Sequence, residues 1–293
     1  MSHLNSYFKY LELQMNFSEH TLQKYHYVLS DLEKFAKLID TDIDDLTLLD
    51  LKQYSLQLVD KRYSRATQAQ NISILKSYYK YLLRESIITK SPASSLVYPK
   101  KDSRLPKTLY ESELYALFES IETSRKFGKR NLAILTVLYS TGMRVSELES
   151  LKVDQFAQNH KSITVIGKGN KQRVVPLNDY TYNIVREYID LERDVLLAGN
   201  ECDMLWINNR HTNLTVRGIR YIINNIVDHS ALLIKVSPHT LRHSFASHLL
   251  NAGMDIRMVQ ELLGHESLTT TEVYTHLDTA MLSEQYKKLN IRR

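Results

Sequence analysis

Ser91-Pro92-Ala93-Ser94-Ser95-Leu96-Val97-Tyr98-Pro99-Lys100-Lys101-Asp102-Ser103-Arg104-Leu105-Pro106 interrupts the periodicity of this chain, and the interruption decides how the rest is read. Each proline biases its predecessor out of the helical region. The stretch reads as an extended linker over 91–107. On its N-terminal side, apolar residues recur at helical spacing in four groups. They are Leu4, Phe8, Leu11 and Met15; Leu22, Tyr25, Leu29, Leu32 and Phe35, after a cap at Ser18 or Thr21; Leu48, Leu51, Tyr54 and Leu58; and Ile72, Leu75, Tyr79 and Leu82. Residues 1–90 are therefore expected to form a small all-helical domain.

On the C-terminal side, 108–293 reads as a second domain of mixed character. Glu111–Leu117 opens it, and Asn131–Tyr139 is an apolar, buried helix ended at Gly142. Ser162–Ile166 and Gln172–Leu177 alternate around Gly167-Lys168-Gly169-Asn170-Lys171, the pattern of a β-hairpin. Helices are expected from Tyr180 to about Leu197, Val216 to Val227, Leu241 to Ala252, Ile256 to Leu263 and Thr279 to Leu289. The fold class is thus mainly α with a small β-sheet in the second domain.

A chain of 293 residues can bury two cores, and 43% hydrophobic with 24% charged residues is a globular composition. No apolar run is long enough to span a bilayer. Met1–Lys9 has no apolar signal core, so a cytoplasmic location without membrane attachment is expected. The lone Cys202 excludes an internal disulfide and argues against a cysteine-based metal site. The net charge of +5 is mild, but its distribution is uneven. Lys61, Arg62, Arg65, Lys76, Lys80 and Arg84 occur without an acidic residue between them, after a segment holding Asp40, Asp42, Asp44, Asp45 and Asp50. Such segregation suggests a surface for an anion.

The second domain carries the chemistry. Thr141-Gly142-Met143-Arg144, Lys168 in the hairpin turn, His239-Thr240-Leu241-Arg242-His243, Leu263-Gly264-His265 and Tyr274 fall at helix ends and a turn. Singly, each has an ordinary explanation: a surface ion pair, a solvated lysine, a cap, one of nineteen tyrosines. Together, two arginines can neutralise a phosphodiester and a tyrosine can attack it. Glu147, one turn beyond Arg144, is placed to orient that arginine. Zinc held by His239, His243, His248 and His265 is disfavoured, because no HExxH pattern occurs and the arginines would repel a cation. Gly167-Lys168-Gly169 lacks the spacing of a nucleotide cradle.

Five ordered blocks resemble the tyrosine recombinase (phage integrase) family, and within it the Xer type: Thr141–Leu148, Gly167–Arg173, His239–Ala246, Leu262–His265 and Thr271–His276. The resemblance covers nearly the whole chain. It implies a SAM-like helical core-binding domain followed by a catalytic domain, closing as a two-domain C-shaped clamp on duplex DNA. By resemblance, Arg144 and Arg242 grip the scissile phosphate, with His265 as a further donor. His239 helps take the proton from Tyr274, Lys168 protonates the departing 5′ oxygen, and Tyr274 is the nucleophile that forms a 3′-phosphotyrosyl bond. No cofactor, metal or ATP is implied.

The resemblance also places Arg65, Thr67, Gln70, Asn71 and Lys76 of the fourth helix, and Lys171, Arg173, Arg217 and Arg220 of the second domain, against DNA. Gln70 and Asn71 stand where relatives often carry arginine, and such amides are able to read adenine edges. The partners implied are a double-stranded DNA recombination site, a homo- or hetero-tetramer of recombinase protomers joined through the last helix, and a DNA translocase of the FtsK type. The expected activity is site-specific cleavage and rejoining of DNA through a Holliday junction, resolving chromosome or plasmid dimers. An integrase or invertase of a mobile element, an enzyme relaxing DNA in the manner of type IB topoisomerases, and a non-catalytic DNA-binding protein remain alternatives.

Overall fold

A computed structural model describes residues 3–100, 108–157, 161–167, 172–230 and 232–264. The chain divides into two compact units, Met1–Arg104 and Leu105–Arg293.

The first unit is helical. It contains α1 (Leu4–Leu13), α2 (Glu19–Leu38), a single 3-10 turn at Ile43–Asp45, α3 (Leu48–Asp60) and α4 (Arg65–Arg84). Thr47 and Asp50 form a reciprocal cap at the start of α3. The Thr47 amide donates to the Asp50 carboxylate at 2.8 Å, and the Asp50 amide donates to Thr47 Oγ1 at 3.3 Å. Ser64 Oγ accepts from the Thr67 amide at the start of α4.

The core of this unit is rich in tyrosine. Tyr7, Tyr54, Tyr78 and Tyr79 are almost fully buried. Each finds a polar partner, as buried phenols must: Ser77 Oγ at 2.7 Å for Tyr7, Asp31 at 3.1 Å for Tyr54, Asp44 for Tyr78, and the Ile43 carbonyl at 2.6 Å for Tyr79. Two details differ from the sequence pattern. In α1 the inward residues are Leu4, Tyr7 and Leu11, whereas Met15 is exposed and Phe8 lies flat on His26 at 3.5 Å between ring centres. The buried stripe follows the i, i+3, i+7 positions, and Tyr7 qualifies because its hydroxyl is satisfied. Ala93 and Leu96 are buried in this same core, so the beginning of the expected linker belongs to the first unit.

In the second unit, α5 (Glu111–Glu119), α6 (Gly128–Thr141) and α7 (Val145–Glu149) precede an antiparallel sheet of β1 (Phe156–Ala157), β2 (Ser162–Ile166) and β3 (Gln172–Pro176), in the order β1-β2-β3. Then α8 (Asp179–Tyr188) runs through a π-turn at Ile189–Arg193 into α9 (Asp194–Leu197). α10 (Val216–His229), α11 (Pro238–Asn251) and α12 (Ile256–Leu263) follow. α6 is the central element: every side chain from Leu132 to Thr141 is buried, with α8, α10 and α11 packed against it. A helix buried all round reads as a continuous apolar run, and this one does.

Candidate active site

Two helices of the second unit end in the same way, and the site is built on those ends. Gly142 closes α6 with φ +58°, and Gly264 closes α12 with φ +66°. This left-handed conformation suits glycine. At Gly142 a side chain is doubly excluded, because an added Cβ would lie 2.5 Å from Phe245 Cδ1 and 2.7 Å from Leu263 Cδ2. The carbonyls at a helix C-terminus lack intrahelical partners and carry the negative end of the helix dipole. Arginines take them here. Arg242 of α11 donates through Nη1 to the Gly142 carbonyl and through Nη2 to the Leu263 carbonyl, both at 2.6 Å. Arg144, at the start of α7, donates through Nη2 to the Gly264 carbonyl at 3.2 Å.

Glu147 ties the arginines together. Its side chain is 5% exposed, and its two oxygens accept four hydrogen bonds. Arg144 supplies its amide at 2.8 Å and Nη1 at 2.9 Å. Arg173 of β3 supplies Nη1 at 3.0 Å and Nη2 at 2.7 Å in a bidentate fork. Strand alternation explains why Arg173 is there. Val165 faces Arg173 and Ile163 faces Val175 across the ladder, and Ile163, Val165 and Val175 are all core residues. Arg173 therefore shares the inward face, while Val174 points outward.

The electrostatics follow from this crowding. Burial pushes the Arg242 guanidinium down to about 10, and repulsion by Arg144 adds to the effect. For Glu147, burial alone would raise the carboxyl. The hydrogen bonds from Arg173, then those from Arg144, outweigh burial and hold it below the ordinary glutamate value. Two guanidinium groups, those of Arg144 and Arg173, bond one carboxylate, and the third, Arg242, is held nearby on the Gly142 and Leu263 carbonyls, which leaves the cluster with a net charge of two positive. The cluster thus carries the excess positive charge that an anion site requires.

The other expected site residues divide clearly. His239 is exposed at the second position of α11, whose first turn is capped by Ser237 Oγ accepting from the Thr240 amide at 3.2 Å. It sits one turn before Arg242 on the same helix face. Arg217 and Arg220 are exposed on α10, opposite the buried Ile219, Ile222 and Ile223. In the first unit Gln70 is exposed, Thr67 meets the Ser64 hydroxyl at 2.9 Å, and Lys76 lies over the Tyr98 ring at 4.7 Å. Exposed Arg65 donates to the Lys100 carbonyl at 3.4 Å. Lys168, Lys171, His265 and Tyr274 lie outside the described residues.

Two of the expected DNA contacts are placed otherwise. Asn71 is buried on α4 and its amide donates to the Thr67 carbonyl at 2.9 Å, so it braces its own helix instead of facing a base edge. The Arg173 side chain is 9% exposed and turned onto Glu147. Sequence reading overlooked the inward face of β3, although Arg173 and Val175 share its period. It also passed over Ser244, and weighed His248 only as a zinc ligand, although these two residues of α11 hold Leu109. Ser244 Oγ accepts from the Leu109 amide at 2.8 Å, and His248 Nε2 donates to the Leu109 carbonyl at 2.9 Å. A pairing between residues so far apart in the chain leaves no local signal.

A family model described as the phage integrase family matches residues 107–281, and one described as the phage integrase N-terminal SAM-like domain matches residues 4–86. Tyrosine recombinase XerC of Bacillus licheniformis is 40% identical over 286 residues, which is 97% of this chain and 94% of that protein. The crystal structure of the XerA recombinase is 31% identical, with 98% of each chain covered and a TM-score of 0.51. That of the XerH site-specific recombinase bound to palindromic difH substrate, a post-cleavage complex, is 27% identical over 93% of this chain and 80% of that one, with a TM-score of 0.69.

Proposed function

The chain belongs to the phage integrase family and is a site-specific tyrosine recombinase; from that premise we propose that it resolves chromosome or plasmid dimers by the Xer plan. Its substrate is a duplex recombination site, and four protomers bring two such sites together. In each half-reaction Tyr274 Oη attacks the scissile phosphorus. A 3′-phosphotyrosyl bond forms as the bond to the 5′ oxygen breaks. His239 takes the phenolic proton, and Lys168 returns one to the departing oxygen. Arg144, Arg242 and His265 hold the non-bridging oxygens and stabilise charge on the phosphorane. Because the ester bond energy is conserved in the protein link, the reaction needs no nucleotide hydrolysis.

The observation that carries this reading is the pair Arg144 and Arg242, held side by side on the carbonyls that end α6 and α12, with Arg144 further fixed by Glu147. Guanidinium suits the task because it remains charged and bonds planar oxyanions in a fixed geometry. Arg217 and Arg220 contact the phosphate backbone from α10, and Arg65, Gln70 and Lys76 do so from α4.

The test is a nicked suicide duplex carrying candidate dimer-resolution sites of the host, incubated with wild type and with Tyr274→Phe. A covalent adduct present only with wild type is expected. An adduct that persists in Tyr274→Phe would remove the nucleophile assignment. Adducts on unrelated DNA with equal efficiency would favour relaxation over recombination.

A further inference from the structure

Arg173 has no counterpart among the groups that touch the phosphate in this mechanism, yet it makes the strongest grip in the cluster. A carboxylate withdrawn from water needs a cation. Glu147 has two, and they differ in accessibility: the Arg144 side chain is 40% exposed and that of Arg173 is 9% exposed. Were Glu147 paired with Arg144 alone, that pair would be neutral. Arg144 would then bring little net charge to a phosphodiester. With Arg173 present, Glu147 is neutralised from its buried side, and the open arginine keeps its charge.

The same side chain also lies against the turn that ends α12. An added Cβ at Gly264 would come within 3.3 Å of Arg173 Nη1, and the Gly264 carbonyl is held by Arg144. Arg173, Glu147, Arg144 and Gly264 thus form one continuous set of contacts.

We propose that Arg173 is a positioning residue for strand cleavage: it balances the charge of Glu147 so that Arg144 is free to engage the scissile phosphate, and it braces the Gly264 turn. This inference rests on the phosphate-gripping role of Arg144. It differs from a DNA-backbone contact, because Arg173 acts through Glu147 and makes no use of exposed surface.

The experiment compares wild type, Arg173→Met, Arg173→Lys, Glu147→Gln and the Arg173→Met/Glu147→Gln double variant. Adduct formation is followed in single turnover on a nicked suicide duplex that wild type cleaves, at saturating protein. Equilibrium binding to the same duplex is measured against salt, and thermal melts report folding. Arg173→Met is expected to slow adduct formation by about 100-fold, the scale of losing one donor to developing charge, with binding and its salt dependence unchanged. Its rate relative to wild type at the same pH, a ratio in which the shared protonation of His239 cancels, should climb as pH falls toward the glutamate range and a proton neutralises Glu147. The double variant should recover at least about tenfold over Arg173→Met and lose that pH dependence, because the charge that Arg173 balanced is gone. Arg173→Lys, which keeps the charge without the fork, should fall between.

A wild-type rate in Arg173→Met would overturn the inference. So would a salt slope lowered by about one, the mark of a lost phosphate contact, or a folded double variant no faster than the single. If Arg173→Met does not fold, the pair Arg173→Lys and Arg173→Lys/Glu147→Gln decides by the same recovery. If Arg144→Ala cleaves as fast as wild type, the phosphate-gripping reading itself falls, and this inference with it.

Discussion

Arg242 Nη1 donates to the Gly142 carbonyl at 2.6 Å, across a separation of one hundred residues. The bond joins the helix that carries Arg242 to the end of the central buried helix. The first expected outcome concerns that end. Gly142→Ala places a Cβ at φ +58° and drives it into Phe245 and Leu263. A loss of about 2–4 kcal/mol is expected from strain and overpacking together, read as a drop in thermal midpoint. Adduct formation should fall further than folding alone explains, because the acceptor of Arg242 moves.

The arginine cluster holds more positive than negative charge, and the Arg242 guanidinium is pushed down to about 10, first by burial and then by repulsion from Arg144. Anything that binds the folded state alone stabilises it. Sulfate or tungstate should raise the thermal midpoint of wild type at constant ionic strength. The increment should be lost in Arg242→Ala, and an equal increment in that variant would place the anion elsewhere.

Glu147 has a folded-state carboxyl held below its ordinary value by Arg173 and Arg144. Such a group contributes stability above the ordinary glutamate range, and the contribution disappears as pH falls through the lowered folded value. Wild type should therefore lose stability on the acid side of that range. Glu147→Gln should be flatter there and less stable near neutrality. Denaturant midpoints measured across the acid range check this, and parallel curves would contradict it.

His248 donates through Nε2 to the Leu109 carbonyl, so its Nδ1 accepts from Tyr139 OH at 2.9 Å. Replacement by phenylalanine leaves a buried carbonyl and a phenol without these partners. A cost of about 1–3 kcal/mol is expected, with faster amide exchange at Leu109, whose amide Ser244 holds. Unchanged protection at Leu109 would show that Ser244 suffices.

On α4, neighbouring amides should behave in opposite ways. Gln70→Ala, on the exposed face, should weaken DNA binding without altering the melt. Asn71→Ala removes a buried bond to the Thr67 carbonyl and should cost about 1 kcal/mol of stability. Binding assays and melts on both variants separate the two effects.

Much of this was legible because it is written in local pattern. The helical groups of the first domain, the continuous apolar run of α6 and the hairpin strands follow from period alone, and the blocks around Arg144, Arg242 and Tyr274 carry the family. Tyr7 was hidden because a tyrosine reads as amphipathic until its hydroxyl finds Ser77. Ala93 and Leu96 were hidden because prolines announce a linker whether or not the chain packs down between them. Asn71 was hidden because an amide on a basic helix looks the same from either face.

By itself the sequence determined that this is a mainly helical recombinase of two units, with the arginine pair in the second. Residue type and spacing encode those properties, and both are local. Only the tertiary structure decided what holds the arginines. Arg242 rests on the ends of α6 and α12, and Arg144 on Glu147, which Arg173 reaches from the inward face of a strand. Those partners are remote in sequence and meet through folding, and charge is strengthened or cancelled by what lies within a few ångströms of it.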